Sequence, residues 1–205
     1  MAYRDGKSIR RELSALAAEQ GGYFTAKQAQ ALDYDRRRLA YHVRAGNFER
    51  AGRGLYRIPT LPLSEHDDLV RLTLWTRDRA DVPQGVVSHQ AALALHDLSD
   101  VFAGAVHLTV PKTFRKPPPR GVVLHHQDLS REDWAEHAGF RATTPLRTLL
   151  DVASAAEVSS DELRKAVRDA LERGLVARSK LESAVRGHAA APRLAAAMTQ
   201  ARRAT

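Results

Sequence analysis

Seven arginines fall within 22 residues of this 205-residue chain: Arg36, Arg37, Arg38, Arg44, Arg50, Arg53 and Arg57, against one acid, Glu49. Each guanidinium presents a planar fork of donors that fits a phosphate or the O6/N7 edge of guanine, so the chemistry on offer is recognition of a polyanion. The imbalance is local. Residues 1–60 hold 12 Lys+Arg and 6 Asp+Glu, whereas 61–205 hold 20 and 18, so three quarters of the net +8 lies in under a third of the chain. A pI near 10.2 follows from the same excess.

Other chemistries find less support. The chain has no cysteine, which removes disulfides, thiolate-held zinc or iron–sulfur and a thiol nucleophile. Of the nine histidines, His125 and His126 are adjacent on an expected strand and point to opposite faces, so both cannot readily hold one ion. His89 and His96 can share a helix face but have no carboxylate at ligand spacing. Each histidine therefore reads as an ordinary surface or core residue, and no metal and no cofactor are expected. HExxH, P-loop and GxGxxG patterns are absent. The carboxylate pairs Asp67-Asp68 and Glu132-Asp133 sit at helix starts, where they complement the helix dipole. A metal-dependent nuclease needs acids on adjoining strands, and the two expected strands of the second domain have none. The reading is of a protein without enzymatic activity. No run approaches 18 apolar residues, the N-terminus is too charged for a signal peptide, and the expected location is cytoplasmic, with no membrane partner.

The arginines need elements to hold them. Ile9, Leu13, Leu16 and Ala17 recur at helical spacing and predict a first helix over 8–20, closed by Gly21-Gly22. Thr25-Ala-Lys-Gln28 is a capping box opening a short helix over 26–32. Asp35 caps a third helix over 36–45 that ends at Gly46. Two short helices around a tight turn follow the helix-turn-helix plan. Phe48-Glu-Arg50 and Leu55-Tyr-Arg-Ile58, joined around Gly52-Arg53-Gly54, then predict a β-hairpin, or wing. With Leu39 and Val43 facing inward, 100° per residue puts Arg37, Tyr41 and Arg44 on the outer face, Arg38 on a flank and Arg36 in the first turn. The expected DNA-binding set is thus Arg36, Arg37, Arg38, Tyr41 and Arg44 on the recognition helix and Arg50, Arg53 and Arg57 on the wing. Thr25 and Gln28 join it at the start of the second helix, whose free N–H groups would hold a further phosphate.

Beyond residue 60 the pattern changes to a mixed α+β domain over 61–187 with few strands. Ser64 is expected to cap a helix with Leu69, Leu72 and Trp75 inward. A small helix over 88–96 and strands over 105–110 and 121–126 follow, the strands joined by a basic, proline-rich loop or long hairpin tip. Thr144-Pro145, Ser159 with Glu162, and Ser179 with Glu182 mark helix starts. Residues 188–205 read as a weakly helical or disordered tail.

The stretches from Gly22-Tyr-Phe-Thr to Gly54-Leu-Tyr-Arg-Ile58, Val86-Val-Ser-His-Gln-Ala-Ala-Leu-Ala-Leu-His96, His107-Leu-Thr-Val-Pro111 and Thr143-Thr-Pro-Leu-Arg-Thr-Leu-Leu-Asp151 are an ordered set. It resembles the AbiEi-type antitoxins of type IV toxin–antitoxin (abortive infection) systems. The resemblance runs from about residue 10 to about 175. It implies a winged helix that represses transcription by binding promoter inverted repeats in double-stranded DNA, with two protomers on the DNA. It also implies a C-terminal domain that counteracts a nucleotidyltransferase toxin without binding it directly. The family's DNA-binding helix and wing map onto residues 36–44 and 50–57. The same motifs occur in proteins that continue into a Vsr-like endonuclease-fold domain, so the alternative is a nuclease-related nucleic-acid-processing protein lacking that domain.

Overall fold

A computed structural model describes residues 6–99, 104–186, 188 and 190–201, with no account of the side chains of 200 and 201. Residues 189 and 202–205 of the expected tail lie outside the described residues. The chain divides into two compact units, 1–85 with 136–140, and 86–135 with 141–205. The class is α+β, as expected, with a winged helix in the first unit and a mixed sheet with helices in the second.

The first unit begins with α1 (Gly6–Glu19), β1 (Tyr23–Thr25), α2 (Ala26–Ala31) and α3 (Arg36–Arg44), then β2 (Glu49–Gly52) and β3 (Leu55–Arg57). Its core joins Ile9, Leu13 and Ala17 of α1 to Phe24, Ala29, Tyr34, Leu39, Phe48 and Ile58. Phe24 is fully buried, meeting Phe48 edge-on at 4.9 Å and stacking on Tyr56 at 5.6 Å. The wing forms where the glycines foretold it. β2 and β3 pair antiparallel with a bulge between Arg50 and Gly52, and Gly54 has φ +68°, open to glycine without strain. β1, too short to carry a strand signal of its own, pairs with β3 to give the order β1-β3-β2.

The first unit continues with α4 (Asp67–Trp75). This helix starts later than expected, with His66 at the N-cap, while the Ser64 hydroxyl accepts only from the His66 N–H. The later start accompanies a rotated face: Leu69, Val70, Thr73 and Leu74 are buried, while Leu72 and Trp75 are half-buried.

In the second unit, β4 (Val86–Val87) leads into α5 (His89–Leu95), β5 (Val106–Val110) and β6 (Val122–His126). After a 3-10 turn (Arg131–Asp133) come β7 (Trp134–His137) and β8 (Phe140–Thr143), whose residues 136–140 fall with the first unit. The sheet order is β6-β5-β4-β8-β7. β5 and β6 run parallel, in register from Val106↔Val122 to Val110↔His126. The basic segment between them is therefore a crossover, not a hairpin tip. Its start is held by the Lys112 N–H on Asp128, and the Val106 N–H donates to the Gly121 carbonyl at its end. Three strands, β4, β7 and β8, had no signal: β4 is two residues long, and Trp-Ala-Glu-His lacks apolar/polar alternation.

Four helices follow: α6 (Pro145–Ala155), α7 (Ser160–Glu172), α8 (Arg178–Val185) and α9 (Ala191–Ala201). Thr144 caps α6 with proline in its first turn, and the Ser159/Glu162 box closes on α7. The Ser179/Glu182 box does not form, because α8 starts at Arg178 and Ser179 is already inside it. The expected weak tail supplies a packed helix instead. Leu194, Ala197 and Met198 of α9 join the core of Leu149, Leu163, Val167 and Leu181. Pro192 lies in the first turn of α9, where its missing N–H leaves no bond unmade. Arg193 of α9 donates to the Val152, Ala153 and Val158 carbonyls, closing the C-terminus of α6.

Two measurements check this packing. Leu194 is fully buried, so Leu194→Ala costs about 2–5 kcal/mol in urea unfolding; a change within about 0.5 kcal/mol would mean α9 is undocked. Asp151 is the second. Its Oδ1 accepts from Arg147 Nε at 2.8 Å, while its buried Oδ2 has no partner. Burial pushes its carboxyl from 3.8 up to about 6, against the Arg147 guanidinium, which holds it down. The folded chain thus keeps a proton that the unfolded chain has lost, and stability falls as pH rises through that window. Relative to Asp151→Asn, the parent loses up to about 3 kcal/mol between pH ~4 and pH ~7. A pH-independent difference in urea titrations contradicts this.

Candidate nucleic-acid interface

The third helix, α3, is short and strongly two-faced. Asp35 opens α3, its Oδ1 accepting from the Arg38 N–H at 2.7 Å. Leu39 is 4% exposed and Val43 packs beside it, which turns the remaining side chains outward. Arg36, Arg37 and Arg44 are exposed, and Tyr41 is 60% exposed despite its size. Arg38 lies lower on the flank, its guanidinium 4.5 Å from the centre of the Tyr34 ring. His42 fills the gap behind, its ring 4.9 Å from Phe48 and 5.5 Å from Tyr34. Burial first, then the charges of Arg38 and Arg10, push its pKa down.

On the wing, Arg50 and Arg53 are exposed, Arg53 in the turn. Arg50 reaches only the Gly52 carbonyl, at 3.5 Å. Arg57 is placed differently. It donates to the Leu61 carbonyl at 2.6 Å and lies 3.6 Å from Glu49, with its side chain 12% exposed. Thr25 and Gln28 are also engaged within the fold. The Thr25 hydroxyl accepts from the Gln28 N–H and donates to Asp81 at 2.7 Å; Gln28 accepts from the Thr25 N–H and exchanges bonds with Gln20. The Asp81 carboxylate thus stands at the start of α2. The structure gathers Arg36, Arg37, Tyr41, Arg44, Arg50 and Arg53 at the surface of one small unit, and keeps Thr25, Gln28 and Arg57 in internal bonds.

A second constellation, in the second unit, escaped the spacing argument. His89, His107 and His125, from the start of α5, near the start of β5 and near the end of β6, each place a ring nitrogen within 4.8 Å of the others. His107 Nδ1 lies 3.0 Å from His125 Nε2 and 3.3 Å from Glu157 Oε2. The His89 and His125 rings stack with centroids 3.5 Å apart. Burial, reinforced by the neighbouring imidazoles and Arg147, pushes His89 down to about 3; burial, His107 and His126 push His125 down to about 4. Burial also lowers His107, with Glu157 opposing it. All three rings are therefore neutral at pH 7. His89 has φ +51°, a left-handed conformation costing a non-glycine residue about 1–2 kcal/mol. The parallel pairing of β5 with β6 sets His107 near His125, 18 residues on, and sequence spacing carries no signal of that.

A cleft of about 580 Å³ lies beside β6, lined by Lys112, Phe114, Arg115, Lys116, Pro118, Leu124 and His126. Its cations are partly spent: Lys112 pairs with Asp128 at 3.9 Å, and Arg115 donates to the Lys112 and Phe114 carbonyls. Among the described residues no helix is long and apolar enough to cross a membrane.

Residues 11–59 match the model of a family described as "Transcriptional regulator, AbiEi antitoxin", and residues 65–200 match that of the AbiEi antitoxin C-terminal domain. No curated protein matches the chain. Among solved structures, the RV2827C protein from Mycobacterium tuberculosis is similar at a TM-score of 0.61 and 17% identity, over 98% of this chain and 79% of that one. At that identity the likeness speaks for the fold. The two family matches take in both the winged helix and the sheet-and-helix segment after it, and the chain belongs to the AbiEi antitoxin family of transcriptional regulators.

Proposed function

We propose that this chain is a cytoplasmic repressor that binds inverted repeats in its own promoter through α3 and the wing, with two protomers on the DNA. The observation that carries the reading is the outward cation face: Arg36, Arg37, Arg44 and Arg53 are exposed and make no ion pair among the described residues. Long donors on the outer side of a recognition helix fit the major groove, where arginine bonds guanine O6 and N7 with both arms of its fork. Tyr41, exposed among them, offers an apolar ring for a thymine methyl and a hydroxyl for a phosphate. The wing arginines 50 and 53 suit the adjacent backbone or minor groove. Thr25, Gln28 and Arg57 act here by holding the winged helix in shape.

Family membership supports the second half of the proposal. The C-terminal unit counteracts a nucleotidyltransferase toxin without forming a complex with it, and the chain carries out no catalysis of its own. No cofactor enters DNA binding in this reading.

Arg37→Ala and Arg44→Ala each weaken binding to the chain's own promoter duplex by about 1–3 kcal/mol, or roughly 5- to 150-fold, at fixed salt. The Tm of both variants stays at the parent value, because neither side chain is buried. Anisotropy titration and thermal melting check this together. Parent-like affinity in both variants removes α3 as the reading element. A mobility-shift assay on a duplex with one half-site scrambled tests the second protomer: the shift expected is to a faster complex of one protomer, and an unchanged complex contradicts paired binding.

A further inference from the structure

We propose that His89, His107, His125 and Glu157 form a binding site in the second unit for one divalent transition-metal ion of the zinc type. In a tetrahedral zinc site with bonds of about 2.0–2.1 Å, neighbouring ligand atoms stand about 3.3 Å apart. His107 Nδ1 and His125 Nε2 are 3.0 Å apart, His107 Nδ1 and Glu157 Oε2 3.3 Å, and His125 Nε2 and Glu157 Oε1 3.9 Å. A ring nitrogen of His89 completes the group within 4.8 Å of the other two imidazoles.

Counting protons argues for a cation. Each neutral imidazole carries one N–H and one lone pair, and an ionised carboxylate carries lone pairs only. His107 Nδ1 faces both His125 Nε2 and the Glu157 carboxylate, and a proton on it satisfies one of them. The other acceptor is then left without a full hydrogen bond in a part-buried place. A divalent ion accepts lone pairs from them all. Imidazole and carboxylate donors suit zinc, cobalt and nickel; the set has no thiolate for copper(I) and too few oxygens for calcium or magnesium.

The surroundings orient one ring for the task. His89 Nδ1 lies 3.0 Å from the Ser88 hydroxyl, which accepts in turn from Thr109 Oγ1 at 2.9 Å. With Nδ1–H donating to Ser88, the lone pair of His89 is on Nε2, free for a metal. The stacked His89 and His125 rings tilt apart on binding, since lone pairs in parallel planes do not meet at one point. The ion would tie together α5, β5, β6 and the segment after α6, elements distant in sequence.

The test uses the full chain without a histidine tag, stripped with a chelator and titrated with Co²⁺, then Zn²⁺. The parent takes up one equivalent of Co²⁺ with the intense visible absorption of a tetrahedral site, Zn²⁺ displaces it, and Zn²⁺ raises Tm. His126→Ala, a change at the exposed neighbour, behaves as the parent. Glu157→Gln weakens Co²⁺ binding by about tenfold and His125→Ala by about a hundredfold. Melting of the metal-free variants shows whether each folds; if His125→Ala does not, Glu157→Gln decides alone. Absence of a tetrahedral Co²⁺ spectrum in the parent, or parent-like affinity in Glu157→Gln, overturns the proposal and leaves a hydrogen-bonded histidine cluster.

Discussion

The burial of one leucine on a nine-residue helix sets how this chain presents its charge. An isolated helix as short as α3 does not hold in water, so both its existence and its rotation come from tertiary packing. Leu39 supplies that packing, against a core that includes Phe24, Tyr34 and Phe48, and the Asp35 cap fixes where the helix begins. Once these two are set, the 100° step per residue leaves Arg37, Tyr41 and Arg44 no direction but outward. The same core seats β3, and β2 paired on it carries Arg50, with Arg53 in the turn that joins the two strands. The small apolar core thus fixes the array in which these side chains are presented.

The winged helix was legible because its signals are local. A capping box, an aspartate cap, a Leu–Val stripe and glycines at the wing turn each act within a few residues, and each does in the structure what its chemistry predicts. The arginines were harder to rank. Seven guanidiniums look alike in sequence, yet Arg57 faces the Leu61 carbonyl and Glu49 while Arg53 stands free in a turn. Position on a hairpin gives the strand, but the partner that claims a side chain can come from a residue no periodicity connects to it. Thr25 shows the same: its cap was readable, and the Asp81 carboxylate beside it, 56 residues on, was not.

The second unit yielded less because its organisation is long-range. Parallel pairing of β5 with β6 cannot be told from a hairpin by composition, and β4 is too short to carry a pattern. Ser179 and Glu182 have the spacing of a box, but the helix that contains them begins one residue earlier. The strength of the C-terminal helix has a related origin. Alanine-rich sequence with one proline looks weak in isolation, whereas Leu194 in a prepared hydrophobic site and Arg193 on three carbonyls anchor it firmly. The histidine cluster is the extreme case, since its members come from three elements and become neighbours only through the sheet.

In the proposed function the arginines on α3 and the wing meet phosphates and bases of duplex DNA. The most direct measurement is the affinity of the full chain for its promoter duplex as salt is raised. If the exposed arginines engage about four or five phosphates per protomer, the logarithm of the affinity falls linearly with the logarithm of salt concentration, at a slope of about −4 per protomer. A slope near zero, or no duplex binding at low salt, would contradict the account.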